Sequence, residues 1–305
     1  MTPVTLFPLW AVALSAFAFV VPGPFVAARE AIVPLLAIVM LGMGMTLVPR
    51  DFVAVFRRPA LVGVGLLLQY TVMPIAALVV AKLFGLTPEE TVGMVLVGAS
   101  SGGTASNVIA YLARANVALS VALTASSTLL AVIALPAITL ALVGRTVPVP
   151  AFEMLTTVAQ VALGPVLLGM LLRRLLARRM AAIQPWLPVV SVAAICTIIA
   201  IIVALNRGML ASAGALLLVA VAAHNAIGLL GGYWGARLLG GDRTSARTIA
   251  IEVGMQNSGL AVALAVKYFS AASALPGALF SIWHNLSGAA LASWWARREE
   301  TSASG

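Results

Sequence analysis

Of the nine Asp and Glu residues in this 305-residue chain, eight fall in loops, at the edges of apolar runs or in the tail: Glu30, Asp51, Glu89, Glu90, Glu153, Asp242, Glu299 and Glu300. The ninth, Glu252, lies inside an apolar run, in the segment EVGMQNSG at 252–259, with no Lys or Arg within a helical turn. A lone carboxylate in hydrocarbon costs about 2.5–3.5 kcal/mol on insertion scales, so Glu252 needs a partner from another helix. Two kinds are open: a neighbouring helix that hydrogen-bonds a protonated, structural Glu, or oxygen atoms that share a hard cation with it. Ser120 and Thr124 are four residues apart and share a helix face, which Ser127 and Thr128 continue. Counted from the ends of their runs, Glu252, Ser120 and Asn107 lie within about 3 Å of one another in depth. A hydroxyl in a membrane helix usually bonds the carbonyl one turn back, so only this agreement of depth and face singles them out.

Two polar breaks interrupt otherwise apolar runs. One reads GASSGGTASN (98–107), with Ser100, Ser101, Thr104, Ser106 and Asn107; the other, at 252–259, adds Gln256, Asn257 and Ser258 to Glu252. Small residues alone let helices pack closely. This density of hydroxyls and amides instead points to unwound backbone lining a cavity or buried in protein. Upstream of each break lies an amide-containing pair, Gln69 with Tyr70 and His224 with Asn225, and the spacings Gln69 to Gly103 and His224 to Asn257 are 34 and 33 residues. Gln69 and the pair His284 with Asn285 are weaker candidates, since a lone buried polar residue serves equally as interhelical glue.

The elements that must position these groups are membrane helices. The chain is 62% hydrophobic and 9% charged, with mean hydropathy +1.10, against the roughly 25% charged of a soluble domain. Apolar runs fall at about 4–21, 31–48, 60–83, 89–113, 116–143, 151–172, 185–205, 209–236, 247–268 and 271–296. Each is long enough to span, and none alternates with period two, which predicts an all-α polytopic bundle of ten transmembrane helices forming one integral unit over 1–305. Spans one to five read as a diverged copy of six to ten. Because five is odd, the second copy is inverted, with helices four and nine discontinuous, an arrangement that puts binding sites at the repeat interface.

A net charge of +9 and a pI near 11.0 do not indicate nucleic acid, because the basic residues punctuate the spans. Thirteen of them follow even-numbered spans and five lie on the other side, which predicts cytoplasmic termini. The lone Cys196 excludes an internal disulfide and a cysteine metal site. The first run lacks the basic residues of a signal peptide and is expected to be a span, and no organelle-targeting extension precedes it, so a bacterial plasma (inner) membrane is expected. An enzyme is disfavoured: there is no HExxH, no Cys beside His, and the two His residues are 60 apart.

The segments EVGMQNSGLAVALA (252–265), SGGTASNVIAYLARANVALSVALTASST (101–128) and SIWHNLSG (281–288) resemble the bile acid:sodium symporter family in its ten-helix bacterial form, over essentially the full length. The resemblance implies a panel domain from about 4–48 plus 151–205. It moves against a core from about 60–143 plus 209–296, in which helices four and nine cross. It implies one sodium site from Ser106, Asn107, Ser120, Thr124 and Glu252, and a second from Gln69, Glu252, Gln256 and the carbonyls of Val253 and Met255. Thr104, Asn257, His284 and Asn285 would contact a bile acid-like or small carboxylate substrate between core and panel. Sodium-coupled import of an organic anion is the expected function, with two Na+ as coupling ions, the lipid bilayer as surroundings and no obligate protein partner. The alternative is a proton-coupled carrier or sodium/proton antiporter, for which a carboxylate pair or a buried Lys is expected beside Glu252.

Overall fold

Long apolar runs fold as helices because hydrocarbon offers the backbone no other hydrogen-bond partner. The computed structural model describes residues 7–48, 58–103 and 105–303. Its first half contains α1 (Phe7–Val20), α2 (Ile32–Thr46), α3 (Pro59–Leu83), α4 (Pro88–Gly98), α5 (Ala105–Leu112) and α6 (Val117–Val143). The second half contains α7 (Ala151–Leu175), α8 (Leu187–Leu205), α9 (Arg207–Leu238), α10 (Arg243–Gly254), α11 (Ser258–Tyr268) and α12 (Ala271–Ala303). Among the described residues the architecture is all-helical, apart from a single antiparallel bridge between Gly102 and Gln256. Thr104, Arg50, Asp51 and Arg57 lie outside the described residues.

Among the described residues, six segments are long and apolar enough to cross a membrane: Arg29–Thr46, α3, α6, α7, α8 and Gly214–Leu238. The other four predicted runs differ for identifiable reasons. The described part of α1 has 14 residues. The fourth and ninth runs are each split in two, as α4 with α5 and α10 with α11. Helix α12 is long, but Ser281, His284, Asn285 and Ser287 dilute its apolar stretch. The sixth run is not uniform either. Residues Ala159–Leu163 form a π turn in α7, where Pro165 has no N–H to return to Val161 and the Gly164 N–H reaches back to the Ala159 carbonyl.

Polarity runs from inside to outside in the sense expected of a membrane protein. Leu83 and Leu238 are 77% and 84% exposed, while Glu252 and Gln69 are each 3% exposed and Gln256 and His224 are fully buried. In water this would be a large aggregation-prone surface around a costly polar interior. The apolar face belongs against lipid, and the buried polar groups belong where helices break.

Local sequence sets the starts of the two broken pairs. Thr87 and Glu90 close a capping box ahead of α4: Thr87 Oγ1 accepts from the Glu90 N–H (3.2 Å) and Glu90 Oε2 from the Thr87 N–H (2.9 Å). Asp242 caps α10 by accepting from the Ser245 N–H at 2.8 Å, and that bond is the main reason its carboxyl titrates below the ordinary carboxylate value. Asn116 caps α6 through the Leu119 N–H (3.0 Å).

Helix α3 packs on α4, α9 and α10, α9 packs on α10, and α12 lies against α4, α9 and α11. Helix α2 packs on α7 and α8, and α1 on α8. At one end of the molecule α11 is tied to α7 by a directed chain. Lys267 Nζ donates to Thr157 Oγ1 (2.8 Å), Thr157 pairs with the Tyr268 hydroxyl, and that hydroxyl donates to the Glu153 carbonyl (2.7 Å).

Candidate functional site

The two breaks cross and hydrogen-bond each other. The Gly103 N–H donates to the Met255 carbonyl (2.7 Å), and the Asn257 N–H to the Ser101 carbonyl (2.8 Å). These bonds flank the Gly102–Gln256 bridge and satisfy backbone groups that the interrupted helices leave open. Glu252 projects into this crossing from the last turn of α10.

Its carboxylate is held by three hydroxyls. Ser106 Oγ donates to Oε1 at 2.6 Å, Ser120 Oγ also donates to Oε1, and Thr124 Oγ1 donates to Oε2 at 2.8 Å. The register that makes this possible is set one turn earlier on both helices. The Asn116 N–H donates to Thr248 Oγ1 at 2.9 Å, which aligns Ser120, four residues after Asn116, with Glu252, four residues after Thr248. Neither Asn116 nor Thr248 stands out in the sequence. The signal for both is positional, a hydroxyl and a cap one helical turn from residues already singled out.

Oxygen lone pairs outnumber protons here. The single Ser106 proton is also claimed by the Gly103 carbonyl (2.6 Å). That of Thr124 is also claimed by the Ser120 carbonyl (3.0 Å) and Asn107 Oδ1 (3.5 Å). Among the described residues no cationic side chain lies within ion-pair distance of Glu252, and no three His, Cys, Asp or Glu residues cluster to hold a transition metal. An oxygen-rich, proton-poor nest suits a hard cation. The structure therefore brings Ser106, Ser120, Thr124 and Glu252 into contact, with Asn107 at the edge.

Of the second predicted set, Gln69, Gln256 and the Val253 carbonyl are hydrogen-bonded to one another, while the Met255 carbonyl is taken by the Gly103 N–H. Gln69 Nε2 donates to Gln256 Oε1 (2.6 Å) and to the Ser100 carbonyl (2.8 Å), and Gln256 Nε2 donates to the Val253 carbonyl (2.7 Å). A cavity of about 10 Å³, room for one water-sized sphere, lies between α3, α6 and α10. It is lined by Gly65, Leu66, Gln69, Leu123, Ser127 and Glu252. Ser127 contributes more than its predicted face, since its Oγ accepts from the Gly102 N–H (3.1 Å) and its carbonyl from the Tyr70 hydroxyl (2.6 Å).

Of the predicted substrate contacts, Asn257 caps α11 through the Leu260 N–H (3.2 Å) and turns its Nδ2 toward Met40 Sδ of α2 (3.6 Å). His284 is buried against Phe280, ring centroids 5.1 Å apart, and its Nδ1 has no partner among the described residues. Asn285 Nδ2 donates to the Ser281 carbonyl (2.8 Å). A Ser258–Ser281 hydroxyl pair (2.6 Å) joins the second break to α12 one turn before His284 and Asn285. A cavity of about 500 Å³ elsewhere in the molecule does not include these residues. It is an apolar groove between α1 and α8, lined by Trp10, Phe17, Val192 and Cys196 among others.

Comparison with known proteins decides what this crossing belongs to. The model of the sodium bile acid symporter family matches residues 33–213. The chain belongs to that family. A Bacillus subtilis protein described as an uncharacterised sodium-dependent transporter is 40% identical over 299 residues, covering 98% of this chain and 93% of the relative. A probable chloroplastic sodium/metabolite cotransporter of Arabidopsis thaliana is 39% identical, over 96% of this chain and 74% of its own length. The like-described rice protein is 38% identical, over 95% of this chain and 72% of its own length. The family match ends within α9, so it holds Gln69, Ser106, Asn107, Ser120 and Thr124. The full-length relatives extend the likeness through Glu252 and α12. These relatives are described as a sodium-dependent transporter and as probable sodium/metabolite cotransporters.

Proposed function

We propose that the protein is a symporter that uses two sodium ions to import one organic anion by alternating access. The observation that carries this reading is the carboxylate of Glu252, buried at the crossing of two broken helices among hydroxyl, amide and carbonyl oxygens, with no cationic side chain within ion-pair distance among the described residues. Sodium site one is assigned to Ser106, Asn107, Ser120, Thr124 and Glu252. Site two is assigned to Gln69, Glu252, Gln256 and the Val253 and Met255 carbonyls, beside the one-sphere cavity. Asn257, His284 and Asn285, with Thr104, are assigned to the substrate.

The reading includes ten spans in two inverted halves. It is supported by a matched pair of contacts: Gln69 Nε2 on the Ser100 carbonyl and Asn225 Nδ2 on the Gly254 carbonyl, both at 2.8 Å. In each half an amide from the preceding long helix meets the carbonyl end of the broken one. The panel is α1, α2, α7 and α8, moving against the remaining helices. Asn257 facing Met40 and the Lys267–Thr157 chain then both lie on the seam between them.

Charge arithmetic makes transport electrogenic. Two sodium ions bring +2, the carboxylate of Glu252 supplies a fixed −1, and a monoanion supplies the other −1, so the loaded site is near neutral, as low dielectric demands. Glu252 does not travel. Each cycle moves a net +1 inward, and a 100 mV inside-negative potential assists by about 2.3 kcal/mol. In vesicles, uptake of small carboxylates or bile acids is expected to vanish when choline or lithium replaces sodium. It should show a sodium Hill coefficient above one and accelerate with an inside-negative potential. Uptake indifferent to sodium overturns the reading; hyperbolic, potential-independent uptake overturns its two-ion part.

The membrane is assigned as a bacterial plasma membrane with both termini cytoplasmic. A tag after Gly305 and a protease site engineered at 173–179 should both resist external protease in intact cells, and cleavage at either overturns the span count or the sidedness.

A further inference from the structure

Three consecutive carbonyls in the second break are each held by a donor from a different place. The Gln256 side chain holds the Val253 carbonyl (2.7 Å), Asn225 Nδ2 of α9 holds that of Gly254 (2.8 Å), and the Gly103 N–H holds that of Met255 (2.7 Å). Asn225 is 1% exposed, and its amide is used at both ends, because Oδ1 accepts from Ser287 Oγ of α12 at 2.7 Å. Ser287 is one turn from His284. A carbonyl outside regular helix is aimed by the torsions around it. Fixing Gly254 O fixes the peptide between the two carbonyls assigned to sodium.

We infer that Asn225 is a positioning residue for ion coupling: it aims the Val253 and Met255 carbonyls through Gly254 and relays the loaded state of that site to α12 through Ser287. The inference rests on the proposed sodium symport. The amide is suited to this because it donates and accepts at once, which neither a carboxylate nor a hydroxyl with one proton reproduces in that orientation. Sodium drawing on the flanking carbonyls would shift Gly254 O, and with it the Asn225–Ser287 bond.

The test uses purified full-length protein with sodium alone as the probe, choline keeping ionic strength constant. Ion binding is read as a rise in thermal midpoint, and α12 is followed by hydrogen exchange in peptides covering 281–288. In the native protein, sodium should raise the midpoint and protect that stretch. Asn225→Asp, assayed above the pH at which its buried carboxyl ionises, still accepts from Ser287 but has no proton to donate to Gly254 O, and should raise the half-saturating sodium concentration at least about fivefold. Ser287→Ala should leave that concentration within about twofold while abolishing the sodium-dependent protection, and Ser287→Thr should restore it. Asn225→Ala is the harsher variant, and a failure of it to fold leaves the other arms decisive. Unchanged sodium half-saturation in Asn225→Asp, or retained protection in Ser287→Ala, overturns the inference. A native protein with no sodium-specific response overturns the symport reading itself, and the relay with it.

Discussion

Glu252→Ala and Glu252→Gln will reduce sodium-dependent uptake to background while leaving a folded protein in the membrane. The carboxylate is the one side chain shared by both assigned sodium sites, and it supplies the only fixed charge in them. A neutral amide of the same shape in Glu252→Gln keeps an oxygen for some of the hydroxyls but loses the −1 that offsets an incoming cation, a deficit that low dielectric makes severe. The fold should survive, because two of the three hydroxyls have other acceptors in place. Ser106 has the Gly103 carbonyl at 2.6 Å and Thr124 the Ser120 carbonyl at 3.0 Å. The stability cost is therefore that of one or two buried hydrogen bonds, about 1–3 kcal/mol. Uptake per molecule, normalised to surface protein and accompanied by thermal midpoints without sodium, separates the two effects. A Glu252→Gln protein that transports at the native rate removes the central assignment.

Much of this site was legible because membrane depth makes polar residues conspicuous. Glu252 and the cluster from Ser100 to Asn107 stand out from apolar surroundings, and four-residue spacing put Ser120 and Thr124 on one face. The sequence could not separate Thr124 from Thr139 or Thr197 by type. All three return a bond to the carbonyl one turn back, at 3.0, 2.7 and 2.9 Å, and only Thr124 also reaches Glu252. That difference is made by the partner helix. For the same reason the Asn116–Thr248 contact, which sets the register, was invisible: it joins residues 132 apart in the chain. The breaks themselves were legible from their Gly, Ser and amide content, whereas the hydrogen bonds between them were not. The π turn at Ala159–Leu163 lies in a run that reads as uniform helix, although Pro165 is the visible cause of the irregularity. The pairs Gln69 with Tyr70 and His224 with Asn225 were matched by their amide content and by spacings counted from Gln69 and His224. The common engagement of a carbonyl at a helix break by Gln69 and Asn225 is a tertiary fact.

Gly102→Ala and Gly103→Ala, at adjacent positions, will fail in different ways. A Cβ on Gly102 would stand 2.7 Å from Glu252 Oε2, with Ser127 Oγ the next neighbour at 3.6 Å. The obstructing atom is the tip of a side chain, which can swing aside, so Gly102→Ala should fold with little loss of helix content. The movement, however, carries Oε2 away from Thr124 and from the oxygen nest, so sodium should no longer raise the thermal midpoint and sodium-driven uptake should fall at least about a hundredfold. That fall corresponds to close to 3 kcal/mol of lost ion binding. A Cβ on Gly103 would instead meet backbone, the Gln256 carbonyl oxygen at 2.8 Å and that of Met255 at 3.3 Å. Those atoms belong to the other broken helix and include the acceptor of the Gly103 N–H, so relief requires the two breaks to separate at their crossing. Gly103→Ala should therefore lower the sodium-free midpoint and the yield of folded protein, a loss of native packing and buried hydrogen bonds together. Measuring midpoints with and without sodium for both variants distinguishes the outcomes: Gly102→Ala keeps the sodium-free value and loses the sodium increment, and Gly103→Ala loses the sodium-free value. If Gly102→Ala retains the full increment, the carboxylate tolerates displacement and does not hold the ion by direct contact. If Gly103→Ala is as stable as the native chain, the backbone pairing of the breaks contributes nothing to holding the site together.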